Sequence, residues 1–90
     1  MGGVDVRRRL LDLVENMPQM NKAAFYSDPD VERLVRKLHE RWARNGYQGE
    51  PIDYSSDDEA SRLYELAKEY ASMPSWEAYK TFIRRIEGKV

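Results

Sequence analysis

The side chains best suited to chemistry in this sequence are a single histidine and two groups of acidic residues. His39 is the only histidine, and the chain contains no cysteine. Nucleophilic catalysis needs a serine or cysteine beside an oriented base, and no G-x-S-x-G segment is present. A helical metal ligand needs a second ligand one turn away, but positions 35 and 43 hold valine and alanine. We therefore expect no catalytic residue and no metal ligand, and we interpret His39 as a boundary residue that touches Trp42 or solvent.

The acidic groups have the positions of helix starts. Residues 28–32 follow the pattern D-x-D-x-E, but the glycine and the closing glutamate of a calcium loop are missing. Residues 57–59 directly follow Ser56, where negative charge stabilises the helix dipole. No glycine-rich phosphate loop is present. We expect no cofactor and no enzymatic activity.

The elements that carry these residues are predicted to be helices. No stretch alternates apolar and polar residues long enough for a strand, whereas apolar residues recur at helical spacing in four segments. We predict four principal helices over about residues 4–16, 28–45, 56–71 and 75–88, and a short fifth helix is compatible with the segment between Pro18 and Ser27.

Local signals mark the ends of these helices. Pro18 ends the first, because the residue before a proline avoids the helical conformation. Ser27 or Asp28 can cap the second, with Pro29 at its first position and Gly46 after its last turn. The segment Ser56-Asp57-Asp58-Glu59 has the pattern of a capping box, in which the serine and glutamate side chains satisfy free amide groups.

The predicted fold is therefore a compact all-α domain, orthogonal or bundle-like, over residues 4–88, and residues 1–3 are interpreted as a disordered tail or a remnant of cloning. We expect Trp42 and Trp76 to anchor the core. The remaining expected core residues are Val6, Leu10, Leu13, Val14, Val31, Leu34, Val35, Leu38, Leu63, Ala67, Tyr70, Tyr79, Ile83 and Ile86.

Composition excludes several classes of protein. The 15 basic and 16 acidic side chains give a net charge of −1, which excludes a simple polycation that coats nucleic acid or an anionic membrane. No apolar run approaches the roughly 18 residues of a membrane span. The N-terminus lacks the apolar stretch of a signal peptide. Together with the absence of cysteine, this favours a cytoplasmic location and no membrane partner.

Charge is nevertheless segregated along the chain. Residues 33–44 contain five basic residues and one acidic residue, whereas residues 50–59 contain five acidic residues and no basic one. A phosphate-contacting surface on the second principal helix and the last helix is one interpretation. Its candidate nucleic-acid-binding residues are Arg33, Lys37, Arg41, Arg44, Lys80 and Arg84. The alternative is that ordinary helix ion pairs and the acidic segment neutralise the basic stripe.

Aromatic residues point to protein recognition instead. Two tryptophans, six tyrosines and two phenylalanines are more than a core of this size needs, and aromatic and arginine side chains dominate interface hot spots. The candidate protein-interface residues are Tyr47, Tyr54, Tyr64, Asp57 and Asp58. We favour a non-catalytic protein-interaction module that docks on another protein or on itself, with nucleic-acid binding as the alternative.

Overall fold

The computed structural model describes residues 5–88 and consists of helices connected by short turns. The five α-helices are α1 (Val6–Glu15), α2 (Gln19–Ser27), α3 (Pro29–Arg44), α4 (Asp57–Ala71) and α5 (Ser75–Gly88), with a single 3₁₀ turn at Pro51–Tyr54. The all-α prediction is confirmed, and the short segment after Pro18 is the fifth helix. The expected tail at residues 1–3 lies outside the described residues, as does residue 4.

The predicted caps are present. The Asp28 carboxylate begins α3 by accepting hydrogen bonds from the backbone N–H groups of Asp30 (2.8 Å) and Val31 (3.3 Å). At the start of α4, the Ser56 hydroxyl accepts from the Glu59 N–H (3.1 Å), and the Glu59 carboxylate accepts from the Ser56 N–H (2.9 Å). Gly46, at φ 73°, ends α3 in the left-handed region that glycine adopts without strain.

Two helix pairs form most of the packing: α1 lies against α4, and α5 lies against α2. The buried core includes Leu10, Met17, Ala24, Phe25, Val31, Leu38, Ile52, Ala60, Leu63, Leu66, Ala67, Tyr70 and Ala78. The edge of the Phe25 ring packs on Tyr70, with 6.0 Å between the ring centroids. This contact joins α2 to α4 at the centre of the molecule.

The expectation that both tryptophans anchor the core is wrong. Trp42 is half-buried at the edge of the fold, and Trp76 is 63 % exposed. Tyr79 and Ile86 are also exposed, contrary to the predicted core. The physical reason is that α5 turns a different side toward α2, on which the small side chain of Ala78 is fully buried.

Buried polar side chains hold α4 and α5 against α2 and α3. The Asn21 amide donates to the carbonyls of Tyr70 and Met73, both at 2.8 Å. The Tyr70 hydroxyl donates to Asp28 (2.6 Å), and Arg85 donates to the Ala24 carbonyl at the end of α2 (2.8 Å). No buried side-chain nitrogen or oxygen in the described part of the chain lacks a hydrogen-bond partner. Among the described helices, none is both long enough and apolar enough to cross a lipid bilayer.

Candidate functional site

The basic stripe of α3 is partly used inside the fold. Arg33 pairs with Asp30 in the first turn of its own helix. Arg41 reaches the start of α4, where it donates to both carboxylate oxygens of Glu59 (2.6 and 3.0 Å) and to the Tyr54 carbonyl (3.0 Å). Lys37 and Arg44 are exposed and make no ion pair within residues 5–88. The stripe therefore presents less free positive charge than its sequence indicates.

Because Glu59 pairs with Arg41, we predict that the folded state loses stability in acid. The Arg41 guanidinium and the backbone N–H of Ser56 lower the pKa of Glu59 from 4.5 to about 2. A carboxyl group with a lowered pKa stabilises the folded state above its unfolded pKa, and this contribution is lost as the pH falls through the folded pKa. We expect the urea midpoint to fall between pH 4.5 and about 2, and to fall less in Glu59→Gln.

The control for this pH series is Glu69→Gln, because Glu69 is an exposed carboxylate on the same helix. It is expected to keep the wild-type fall. An equal fall in wild type and Glu59→Gln would show that the Arg41–Glu59 pair does not contribute to acid sensitivity.

The other candidate nucleic-acid residues, Lys80 and Arg84, lie exposed on α5. The Lys80 ammonium lies over the Trp76 ring, 5.4 Å from its centroid. Arg84 makes no ion pair within the described residues. Nucleic-acid binding by these groups stays a prediction, since no further feature of α5 is specific for phosphate.

The candidate protein-interface residues differ in exposure and in their contacts. Tyr54 is half-buried and donates its hydroxyl hydrogen to the Gln48 carbonyl (2.6 Å). Tyr64 is half-buried beneath the Lys68 ammonium, which lies 5.0 Å from its ring centroid. Asp57 accepts a hydrogen bond from Arg7 (3.1 Å), whereas Asp58 is exposed and makes no ion pair in the described part of the chain. Of the three tyrosines, Tyr47 is the most exposed, at 63 %.

Tyr47 lies beside an apolar depression that sequence analysis did not identify. Two depressions, of about 600 and 750 Å³, adjoin at Tyr26, Val35 and His39, which line both, and we refer to the two together as the trough. The trough is bounded by α1, α2, α3 and the 3₁₀ turn. Its apolar and aromatic lining includes Leu10, Leu11, Val14, Phe25, Tyr26, Val35, Leu38, Trp42, Ala43, Tyr47, Pro51, Ile52 and Leu63.

Aromatic rings line one end of this trough. The Trp42 indole N–H donates to the Gly49 carbonyl (3.0 Å), and Tyr47 packs edge-on against the indole with 5.0 Å between centroids. His39 is exposed and lies beside the same indole, with 5.8 Å between centroids. His39 therefore contacts Trp42 as the sequence predicted, and it contributes to an aromatic surface.

The charged residues around the trough are mainly acidic. Glu15, Glu40 and Glu50 line it and make no ion pair within residues 5–88. Lys22 is a basic lining residue, and Arg36 is held by Glu32 at 3.0 Å. The trough therefore combines an apolar floor with excess negative charge at its edges.

The sequence contained weak signals for the trough and for the exposed apolar side chains of α5. Leu11 lies beside the predicted α1 stripe and is 43 % exposed, and Tyr26, beside buried Phe25, is 48 % exposed. On α5, apolar residues cover more of the helix circumference than α2 can bury. An apolar arc wider than the contact on one neighbour is the pattern that could have predicted a second, uncovered face.

The described residues contain no group of three or more histidine and acidic side chains that could hold a metal ion. No family model, curated protein or solved structure matches this chain.

Proposed function

We propose that this protein is a non-catalytic protein-interaction module that binds an amphipathic helix of a partner protein in the trough. The apolar and aromatic lining of the two adjoining depressions between α1 and α3 is the observation that carries this proposal. Amphipathic helices commonly bind by laying their apolar face into such a groove. The partner is expected to carry apolar residues along one helical face.

Exposed apolar surface in the trough supports this function. Leu11 on α1 and Tyr26 on α2 both line the cavity that reaches the core residues Phe25 and Leu38. Contiguous exposed apolar surface on a small domain is unfavourable in water and is typical of interaction sites. An apolar helix in the trough would cover these side chains and release the water in contact with them.

The acidic side chains at the trough favour one kind of partner helix. Because Glu15, Glu40 and Glu50 lie at the trough without basic partners in the described chain, an acidic helix would be repelled. Complementary charges raise the rate of association and exclude partners of the wrong sign. We therefore propose a partner helix whose apolar stripe is flanked by lysine or arginine.

The aromatic end of the trough is suited to anchor the partner. Tryptophan and tyrosine are enriched among the residues that dominate binding energy. The hydrogen bond from Trp42 to Gly49 restrains the indole before binding, which lowers the entropy cost of the contact. Tyr47 can then close against an apolar side chain of the partner.

The test is a titration of isotope-labelled protein with a synthetic amphipathic helix of about 18 residues, with leucines at i and i+4 and lysines on the flanks. We expect chemical-shift changes at the trough lining. Tyr26→Ala and Leu11→Ser are each expected to weaken binding about tenfold, because each removes exposed apolar contact surface. Both side chains are about half exposed, so the fold is retained.

Trp76→Ala is the matched control, since Trp76 is an exposed aromatic outside the trough, and it is expected to leave binding unchanged. A second peptide with glutamate in place of lysine is expected to bind more weakly. Equal binding of both peptides, or shift changes away from the trough, would contradict the proposal.

The cytoplasmic location expected from the sequence stays part of this proposal, and imaging of the tagged full-length protein tests it.

A further inference from the structure

A second apolar surface lies on α5, outside the trough. We define the α5 outer strip as Trp76, Tyr79, Ile83 and Ile86. Three of these side chains, Trp76, Tyr79 and Ile86, are exposed by 63, 51 and 44 %. They recur at intervals of three and four residues and therefore share one side of the helix.

The strip is separate from the side of α5 that packs on the fold. Ala78 is fully buried and Phe82 packs against the core cluster, whereas Trp76 lies roughly 160° around the helix from Ala78. Helix α5 packs mainly on α2. The fold therefore holds α5 by one side and leaves Trp76, Tyr79 and Ile86 exposed on the other, with Ile83 half-buried between them.

The charges beside the strip have a self-complementary order. Lys80 lies three residues before Ile83, and Glu87 lies four residues after it, so the two charges flank the middle of the strip on opposite sides along the helix axis. Neither forms an ion pair within the described residues. In an antiparallel pair of α5 helices centred at Ile83, Lys80 of each copy falls within roughly 1.5 Å, along the axis, of Glu87 of the other.

We propose that the α5 outer strip is a homodimer interface, in which two copies pack α5 antiparallel about a two-fold axis near Ile83. A two-fold axis brings the same patch of both copies together, so a patch must be complementary to itself. In this arrangement Ile83 contacts Ile83 of the second copy, and Tyr79 lies beside Ile86 of the second copy. Two ion pairs between Lys80 of one copy and Glu87 of the other lie next to this apolar contact. This surface lies outside the trough, so the inference does not rest on the proposed function.

A lipid surface is the less suitable occupant. Interfacial helices that bind anionic membranes carry excess lysine and arginine on their polar face. The exposed charges of α5 are balanced within the described residues, with Glu77 and Glu87 against Lys80 and Arg84. A helix with equal numbers of exposed acidic and basic side chains matches a second copy of itself better than it matches an anionic membrane.

The expected dimer is weak. Covering the exposed parts of Trp76, Tyr79 and Ile86 in both copies buries about 700 Å², whereas stable complexes bury about 1,200 Å² or more. We expect a dissociation constant on the order of 0.1 mM. Sedimentation velocity from about 10 µM to about 1 mM, at about 20 mM salt to limit screening, covers this range.

Charge exchange between copies tests the geometry. Lys80→Glu and Glu87→Lys each place like charges at both contacts, and each is expected to weaken association about tenfold. In an equimolar mixture of the two variants, the mixed dimer has an attractive pair at both contacts. The mixture is therefore expected to associate as wild type does, and so is the double variant. Trp76→Ala is expected to weaken association by removing apolar surface.

Lys37→Glu and Glu69→Lys are the matched controls, because they change the same charges on exposed positions of α3 and α4, and both are expected to associate as wild type does. A wild-type protein that stays monomeric at about 1 mM would overturn the proposal. Failure of the mixture to regain association would also overturn it, as would a blue shift of Trp76 fluorescence with anionic vesicles in a protein that stays monomeric.

Discussion

Asp28→Ala is expected to lower the free energy of unfolding by about 3 kcal/mol. One carboxylate oxygen caps α3 by accepting from the N–H groups of Asp30 and Val31. The other accepts from the Tyr70 hydroxyl at 2.6 Å and lies 3.7 Å from the Arg85 guanidinium. Alanine therefore removes a helix cap, takes the acceptor from the Tyr70 hydroxyl of α4, and removes the carboxylate charge beside Arg85 of α5.

The pKa shifts of Asp28 and Tyr70 indicate that the two side chains belong to one hydrogen-bonded cluster. Burial acts to raise the pKa of Asp28, but hydrogen bonds from Tyr70 and the two backbone N–H groups outweigh it, so the pKa is lowered. Burial and the hydrogen bond to Asp28 raise the pKa of Tyr70 to about 12. Both shifts mean that the folded state favours ionised Asp28 and neutral Tyr70.

Urea unfolding of Asp28→Ala, Tyr70→Phe and the double variant measures this coupling. We expect the double variant to be less destabilised than the sum of the single variants, because both remove the same hydrogen bond. Asp58→Ala is the control, since Asp58 is an exposed first-turn carboxylate, and its expected effect is within about 0.5 kcal/mol. A loss near 1 kcal/mol for Asp28→Ala would reduce the role of Asp28 to the cap alone.

Asn21→Leu is expected to destabilise the fold by about 3 kcal/mol, despite adding an apolar side chain to a buried site. Asn21 is 1 % exposed. Its amide group donates to two carbonyls, those of Tyr70 and Met73, where α4 ends and the turn to α5 begins. Leucine would remove this donor from both carbonyls. The Tyr70 carbonyl would keep the longer bond from the Met73 N–H (3.3 Å), and the part-buried Met73 carbonyl would lose its side-chain donor.

The local loss of stability in Asn21→Leu is expected to be greatest at α5, because the turn that Asn21 holds leads directly into that helix. Chemical denaturation measures the total effect, and amide hydrogen exchange is expected to show the largest loss of protection in α5. Asn16→Leu is the matched control, since the Asn16 amide also donates to a carbonyl, that of Asp12 (2.8 Å), but at an exposed site. Equal effects of the two substitutions would show that burial of Asn21 does not determine its contribution.

Local patterns in the sequence predicted the helices and their ends. Pro18, Asp28, Gly46 and the capping box at Ser56 act on neighbouring atoms of the backbone, so their effects do not depend on distant residues. The helical spacing of apolar residues likewise predicted which segments are amphipathic. This information was sufficient for the all-α class, and it left open whether the segment after Pro18 forms a fifth helix.

The candidate surfaces could not be predicted in the same way. Trp76 and Ile86 have the spacing of core residues, yet they are exposed because Ala78 lets α5 approach α2 by another side. The trough forms only where α1, α2, α3 and the 3₁₀ turn come together around Tyr26 and Val35. The spacing of apolar residues within one helix does not show which other helices it will meet. Tyr54, between α3 and α4, was expected at a protein interface, but its hydroxyl donates to the Gln48 carbonyl of the same connecting segment.

Sequence alone therefore determined where helices form and which side chains are available to them, because capping and periodicity are properties of adjacent residues. Tertiary structure decided which apolar faces meet and which remain open. Arg41 and Glu59 lie 18 residues apart and become partners only through packing, and the buried place of Asn21 follows from the meeting of α2 with the end of α4. Helices α1, α2 and α5 each leave large apolar side chains exposed, and the choice among their faces depends on the fit of all five helices together.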